Sequence, residues 1–298
     1  MRHFLEVDDL TPEELQTVLD LAETKSPPPV LAGRGVALIF EKPSNRTRNS
    51  TEMAVFQLGG HSVTIRGDEI GIGERETVED VTRVLARYHA VLAARVFEHG
   101  LLESMRRVGE VPVVNLLSDW SHPCQALADL LTLRQHWGSL KGRTVAWVGD
   151  GNNVARSLTL ACAMAGVNIR LATPVGHELD ATTADGALSY GVSVLATKDP
   201  VEAVEGADAV YTDVWVSMGQ ESESQSRADA FAGYQVDEEL MSKAAKDAIF
   251  LHCLPAHRGL EVSAGVIDGP ASVVWDQAEN RMHAARGLLW WLVQRGTR

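Results

Sequence analysis

The chain is poor in cysteine, in basic charge and in long apolar runs, and each shortage removes a class of protein. Its three cysteines are Cys124, Cys162 and Cys253. An odd number with no Cys-x-x-Cys pair offers neither a disulfide framework nor a zinc ribbon. Lysine and arginine total 27 against 40 aspartates and glutamates, a formal net charge of −13. No basic run offsets that balance, which argues against nucleic acid as the main partner and requires any anionic ligand to sit in a local positive pocket. No apolar stretch approaches the roughly 20 residues of a membrane span, and Met1 to Glu6 holds no signal-peptide apolar core, so a cytoplasmic protein with no membrane partner is expected. Internal repeats are also lacking, and Pro27-Pro28-Pro29 is the one compositional run.

What is present reads as an α/β protein. The 298 residues, 45% apolar and 22% charged, suit two domains with a core in each. Thr11-Pro12-Glu13-Glu14 has a capping residue, a proline at the first helical position and a capping-box carboxylate, so a helix starts there. Gly35 to Phe40 reads as a buried strand, and helical spacing follows in Met53 to Leu58. Thr77 opens another helix, strands are expected at Val91 to Arg95 and Val111 to Leu116, and His122-Pro123-Cys124-Gln125 opens a long helix that stops at Gly138. The second half alternates strands at Thr144 to Val148, Ile169 to Ala172, Ser193 to Leu195, Ala209 to Tyr211 and Ile249 to His252 with helical stretches. Gly219 to Gly233 reads as a mobile loop, and a last helix runs from about Ala278. The expected fold class is α/β with two domains, each a mainly parallel sheet covered by helices on both faces and joined by long interdomain helices. The expected boundaries are 1–137 and 138–277, with the helix 278–298 packing back on the first domain.

The stretch Phe40 to Arg48 stands out. It lies on a strand-to-helix turn, where free backbone N–H groups favour an anion, and Ser44, Thr47, Arg46 and Arg48 add hydroxyls and guanidinium forks. A capped helix with solvated arginines is the plain alternative. Ligands of open α/β sheets bind beyond the carboxyl ends of the strands. Those positions hold Ser44 to Arg48, Arg95, His122 to Gln125, Asp150 to Asn153, Asp213 to Met218 and His252 to Pro255, a polar set expected to line one cleft. Gly149-Asp150-Gly151 is a poor dinucleotide fingerprint, because Val154 holds the third glycine position and no acidic residue ends the next strand. His122 and Cys124 with His252 and Cys253 do not have usual zinc spacing, so no metal is expected. A nucleophilic Cys253 would need a base and an oxyanion hole.

Several of these segments together resemble the carbamoyltransferase family, in its ornithine branch. Ser44-Asn45-Arg46-Thr47-Arg48 resembles the family's S-T-R-T-R, and His122-Pro123-Cys124-Gln125 its H-P-x-Q. Asp213 to Gly219, His252-Cys253-Leu254-Pro255 and Asn280-Arg281-Met282-His283 look like the amino-acid loop, the H-C-L-P and the N-R-x-H of that branch. The resemblance covers nearly the whole chain, with five motifs in order. It implies transfer of the carbamoyl group of carbamoyl phosphate to the δ-amine of L-ornithine, giving L-citrulline and phosphate, without a cofactor, by a cytoplasmic homotrimer of arginine metabolism. By motif position, Ser44, Asn45, Arg46, Thr47 and Arg95 hold the phosphate. His122, Gln125, Cys253, Leu254 and Arg281 surround the carbamoyl group, and Asn153, Asp213, Ser217 and Met218 hold ornithine. Arg95, His122 and Cys253 are the catalytic candidates.

Three positions depart from the family pattern. Asn45 stands where threonine is usual, Asn49 where phenylalanine is frequent, and Gly71 where a loop reaching a neighbouring subunit carries a glutamine. Glu69 and Glu74 of that loop would repel a phosphate unless turned away. Two alternatives follow: a carbamoyltransferase for another amine or amino acid, and a catalytically silent ligand-binding paralogue.

Overall fold

The computed structural model describes residues 1–73, 75–216 and 223–296. The chain forms two compact units, Met1–Leu131 together with the chain from Glu279, and Thr132–Ala278.

In the first unit, Thr11 caps helix α1 (Pro12–Ala22): its hydroxyl accepts the N–H of Glu14, whose carboxylate accepts the N–H of Thr11. Then follow β1 (Gly35–Phe40), α2 (Asn45–Gln57), β2 (His61–Arg66), α3 (Gly67–Ile70), α4 (Val78–Tyr88), β3 (His89–Arg95), α5 (His99–Val108) and β4 (Val113–Leu117). The strands pair in parallel in the order β2-β1-β3-β4. Strands β1, β3 and β4 are buried along most of their length, as helices on both faces require. Ala37, Ile39, Leu92 and Ala94 pack with Leu102, Met105 and Val113 in one core cluster.

Strand β2 departs from the sequence expectation, which has no strand between α2 and Thr77. It is an edge strand, half-exposed or exposed throughout, and its polar His61, Ser62, Thr64 and Arg66 mask the apolar period. The order also sets the site. The chain leaves β1 to one side for β2 and crosses to the other for β3, which opens a crevice at the carboxyl ends of β1 and β3.

Helix α6 (Pro123–Trp137) carries the chain into the second unit. There β5 (Thr144–Val148), α7 (Asn153–Met164), β6 (Asn168–Ala172), α8 (Ala181–Leu188), β7 (Val194–Thr197), α9 (Pro200–Val204), β8 (Ala209–Thr212), α10 (Ser224–Ala230), α11 (Glu238–Met241), β9 (Ile249–His252), α12 (Ala264–Ile267) and the start of α13 (Val274–Gly296) build a parallel sheet ordered β7-β6-β5-β8-β9. Its switch point lies between β5 and β8. Val148, Val210, Trp215, Phe231 and Phe250 belong to its core cluster.

Two expectations are corrected here. Within Gly219 to Gly233, read as a loop, residues 224–230 are helical; α10 is mostly polar, with only Ala228 and Ala230 apolar, and turns inward through buried Arg227, so apolar periodicity does not reveal it. Helix α13 begins at Val274 rather than near Ala278, extended by the buried Val274. Glu74, Ser217 and Met218 lie outside the described residues. Among the described residues no helix is long and apolar enough to cross a membrane.

Arg286 of α13 ties the first unit together. It is buried and donates to the carbonyls of Ala22 at 2.6 Å and Thr24 at 2.8 Å, and to Gln57 Oε1 at 2.8 Å. Two of these acceptors end α1, where the helix has no internal donors left. Arg286→Met is expected to lower stability by about 2–4 kcal/mol, since hydrogen bonds to a charged group contribute roughly 1.5–3 kcal/mol and buried acceptors are left bare. The urea midpoint checks it, with the slope unchanged.

Candidate active site

The turn after β1 gathers the first half of the site. Ser44 is the N-cap of α2, with φ −155° and ψ 120°, and its Oγ accepts the N–H of Thr47 at 3.3 Å. The N–H groups of Asn45 and Arg46, in the first turn, have no carbonyl to bond within the helix. Thr47 is buried, and its Oγ1 accepts from Arg281 Nη2 at 3.0 Å and from Arg95 Nη1 at 3.5 Å. Arg281 also donates to Gln125 Oε1, and Gln125 Nε2 donates to Asp129 Oδ1 at 2.8 Å. Thus the β1 turn, β3, α6 and α13 each deliver one side chain to the same few ångströms, and the guanidinium groups of Arg95 and Arg281 are buried there.

These charges set the state of His122, which is itself buried. Burial first, then the Arg281 and Arg95 cations, hold its pKa well below 6.5, so the imidazole is neutral at pH 7. Lys42, a residue outside the candidate set, is lowered by burial and then by Arg95, and its ammonium lies over the Phe97 ring at 4.4 Å. Cys124 donates to the Asn115 carbonyl at 3.3 Å, and burial pushes its thiol up to about 12, so it stays protonated. Arg48, in contrast, points to the exposed face and pairs with Glu52 at 2.9 Å.

The second unit holds the remaining described candidates, around the ends of β5, β8 and β9. Asp213 is buried after β8. Its Oδ1 accepts the Val214 N–H at 2.8 Å and the Cys253 thiol at 2.9 Å, and its Oδ2 accepts Asn152 Nδ2 at 3.0 Å. Asn152 caps α7 through Oδ1, which accepts from Val154 and Ala155. Asn153 is the first residue of that helix. Asn152 thus reaches Asp213, a role that sequence position alone does not separate from its neighbour's. Leu254 sits at φ 59°, and its N–H donates to His252 Nδ1 at 2.9 Å.

Among the described residues, ligand atoms of Asp213, His252 and Cys253 lie within 4.8 Å of one another. The donor set does not suit a metal. His252 Nδ1 accepts from Leu254, so Nε2 carries the proton and donates to buried Glu261 at 3.2 Å. Both ring nitrogens are committed, and the Cys253 proton is held by Asp213.

The loop after β2 explains one departure from the family pattern. Gly71 caps α3 in the left-handed region at φ 62°, ψ 48°, and a Cβ there would lie 2.9 Å from Arg75 Cβ. A glutamine at this position would be strained by its backbone and by that contact. The Glu69 carboxylate accepts the Arg66 N–H at 3.2 Å.

Fold and site together define a parallel α/β protein with a buried cationic cluster at one sheet's switch point and a carboxylate-centred cluster at the other's. Comparison with known proteins gives the family. Residues 2–135 match the aspartate/ornithine carbamoyltransferase carbamoyl-P binding domain, and 141–292 match the Asp/Orn binding domain of the same family. The chain is 49% identical to an ornithine carbamoyltransferase of Acidothermus cellulolyticus, over 98% of this chain and 97% of that one. Among solved structures it resembles the ornithine carbamoyltransferase from Pyrococcus furiosus, with TM-score 0.94, 45% identity and coverage of 100% and 98%. It also resembles that from Thermus thermophilus, with TM-score 0.91, 46% identity and coverage of 98% and 99%. The chain belongs to the aspartate/ornithine carbamoyltransferase family.

Proposed function

We propose that this chain transfers the carbamoyl group of carbamoyl phosphate to the δ-amine of L-ornithine, releasing L-citrulline and phosphate. The observation that carries the reading is the convergence of Arg95 and Arg281 on Thr47 at the start of α2, beside a neutral His122. Ser44, Asn45, Arg46, Thr47 and Arg95 bind the phosphate, with the first-turn N–H groups of α2 completing the cradle. Gln125, Leu254 and Arg281 orient the carbamoyl group. As the amine attacks, charge develops on the carbonyl oxygen, and His122, Arg95 and Thr47 serve as donors already in place. The departing phosphate keeps the arginines as its counter-charge.

Asp213 receives the acceptor's α-ammonium, with Asn153, Ser217 and Met218 as further contacts. The δ-amine must be neutral to attack. At an ordinary pKa of about 10.4, reaching neutrality at pH 7 costs roughly 4–5 kcal/mol, which desolvation and nearby cations reduce. Cys253 orients that amine. Its thiol donates to Asp213 Oδ1, which favours the protonated thiol over a thiolate nucleophile, and direct attack by the amine needs no covalent intermediate. Mass spectrometry of the enzyme quenched during turnover is expected to show an unmodified Cys253; a carbamoyl-cysteine adduct would end this assignment.

Exposed apolar residues of the first unit support a subunit contact. Met53 and Phe56 of α2 and Val63 of edge strand β2 are 44%, 70% and 37% exposed, and β2 has an open edge. A homotrimer, in the cytoplasm and in arginine metabolism, is the assembly and setting proposed; sedimentation equilibrium tests the first. Citrulline formation against a panel of amines tests the function. Product with ornithine alone supports it, product with another amine reassigns the acceptor, and no product despite carbamoyl phosphate binding makes the chain a silent paralogue.

A further inference from the structure

Glu261 and His252 form a pair in the second unit whose side chains are both wholly buried. His252 ends β9, where its N–H donates to Gln277 Oε1 at 2.9 Å. Its Nε2 donates to Glu261 Oε1 at 3.2 Å, and its Nδ1 accepts the Leu254 N–H at 2.9 Å. Glu261 Oε1 also accepts the His257 N–H. Oε2 has no hydrogen-bond partner among the described residues and faces His257 Nδ1 at 3.7 Å. The Glu261 main chain is held separately, since its carbonyl accepts the Val236 N–H at 2.9 Å and Val262 beside it is buried. Burial acts to raise the Glu261 carboxyl, but the hydrogen bonds from His252 and the His257 N–H outweigh it and hold the group below the usual carboxylate range.

A buried carboxylate with one bare oxygen costs stability, and packing alone is served as well by an apolar side chain. Its chemistry suggests another use. A neutral imidazole has one N–H, and the nitrogen that carries it is set by the hydrogen bond the other makes. The carboxylate, an obligate acceptor, places that N–H on Nε2 and so keeps Nδ1 a bare acceptor for Leu254. With the proton on Nδ1 instead, two N–H groups would face each other. Leu254 depends on this acceptor, because its φ of 59° lies in the left-handed region, which a leucine holds only where its surroundings fix it. Its side chain packs against the core cluster of the second sheet, and Cys253 precedes it with its thiol on Asp213. We propose, on the reading of Cys253 and Leu254 as contacts of the attacking amine and the carbamoyl group, that Glu261 is a positioning residue for the transfer step. It selects the His252 tautomer that pins Leu254, and through Leu254 it sets the aim of the Cys253-Leu254 segment.

Steady-state kinetics of the full chain with ornithine test this on E261Q, E261D, H252N and H252N/E261Q, with calorimetry of carbamoyl phosphate binding, whose stoichiometry counts competent sites. Per competent site, E261Q is expected to lower kcat by about tenfold or more, because an amide donates as well as accepts and no longer selects the tautomer. The carbamoyl phosphate Kd and the ornithine KM stay within about threefold. E261D, which keeps the charge but withdraws it by one methylene, falls between. His252→Asn is the second arm of the cycle: its amide oxygen stands where Nδ1 stood, an acceptor with no tautomer to select. H252N is therefore expected to lose less than E261Q, and adding E261Q to it costs less than about twofold. An unchanged kcat in E261Q, an equal change in carbamoyl phosphate affinity, an H252N chain as slow as E261Q, or a double variant slower than H252N by the full E261Q factor overturns the role. If E261Q does not fold, E261D and H252N/E261D carry the same test, with a kcat loss that H252N removes. A wild-type chain that makes no citrulline refutes the functional reading itself; an active wild type with unaffected variants refutes this role alone.

Discussion

Arg46→Ala is expected to weaken carbamoyl phosphate binding by about a hundredfold in calorimetry at fixed ionic strength. Arg46 is half-buried in the first turn of α2, and on the proposed function its guanidinium and its backbone N–H both donate to the phosphate. A charge-assisted hydrogen bond contributes roughly 1.5–3 kcal/mol, and each 1.4 kcal/mol is tenfold in affinity. Loss of one fork therefore accounts for about one to two decades, with the weaker field at the helix start adding to it. Asn45→Ala is the internal contrast, because that position is expected to act through its N–H and should change affinity by less than about threefold. An Arg46→Ala variant that binds as tightly as wild type removes this residue from the pocket.

His122→Leu should leave carbamoyl phosphate affinity within about tenfold and lower kcat by roughly 10²–10³, the usual effect of deleting one donor to a developing oxyanion. Equal losses in kcat and in ground-state binding would assign His122 to substrate holding instead. Its low pKa makes two further expectations. The pH profile of kcat should show no ionisation near 6.5 from His122, since the folded imidazole stays neutral. Stability responds in the opposite sense to that of a paired histidine. Below about 6.5 the unfolded chain takes up a proton that the folded chain refuses, so stability falls as pH drops, by at most about 1.4 kcal/mol per pH unit for this group. His122→Leu removes that slope, which urea unfolding at pH 5 and pH 7 measures.

Much of this arrangement is legible in the order of the amino acids. The strands buried on both faces announce themselves as apolar runs, and Thr11, Ser44 and Thr77 mark helix starts because capping is local chemistry. What stays hidden depends on distant partners. Strand β2 lies at a sheet edge with little apolar contrast, and α10 is held by Arg227 reaching Asp150, 77 residues away in sequence. Asn152 and Asn153 are adjacent and chemically identical, and only the cap geometry shows which one turns to Asp213. Lys42 lies within the conspicuous stretch, yet its burial beside Arg95 follows from the pairing of β1 with β3. The conspicuous arginines likewise divide only in three dimensions, with Arg48 turned to Glu52.

The start of α2 has a thermodynamic side. Helices α1 and α4 open with Glu13 and Glu14, and with Glu79 and Asp80, acids that suit the positive end of a helix. Helix α2 has no acid in its first turn and carries Arg46 and Arg48 there instead, charges of the wrong sign for its dipole. By itself this turn is a locally frustrated segment, and on the proposed function the negative charge that relieves it arrives with the substrate. On the proposed function, carbamoyl phosphate, or inorganic phosphate at higher concentration, is expected to act on this chain as a folding ligand. Its concentration sets the melting temperature through RT ln(1 + [L]/Kd), about 2.7 kcal/mol at a hundredfold excess over Kd. Selection for anion binding at this turn therefore works against the stability of the unliganded protein.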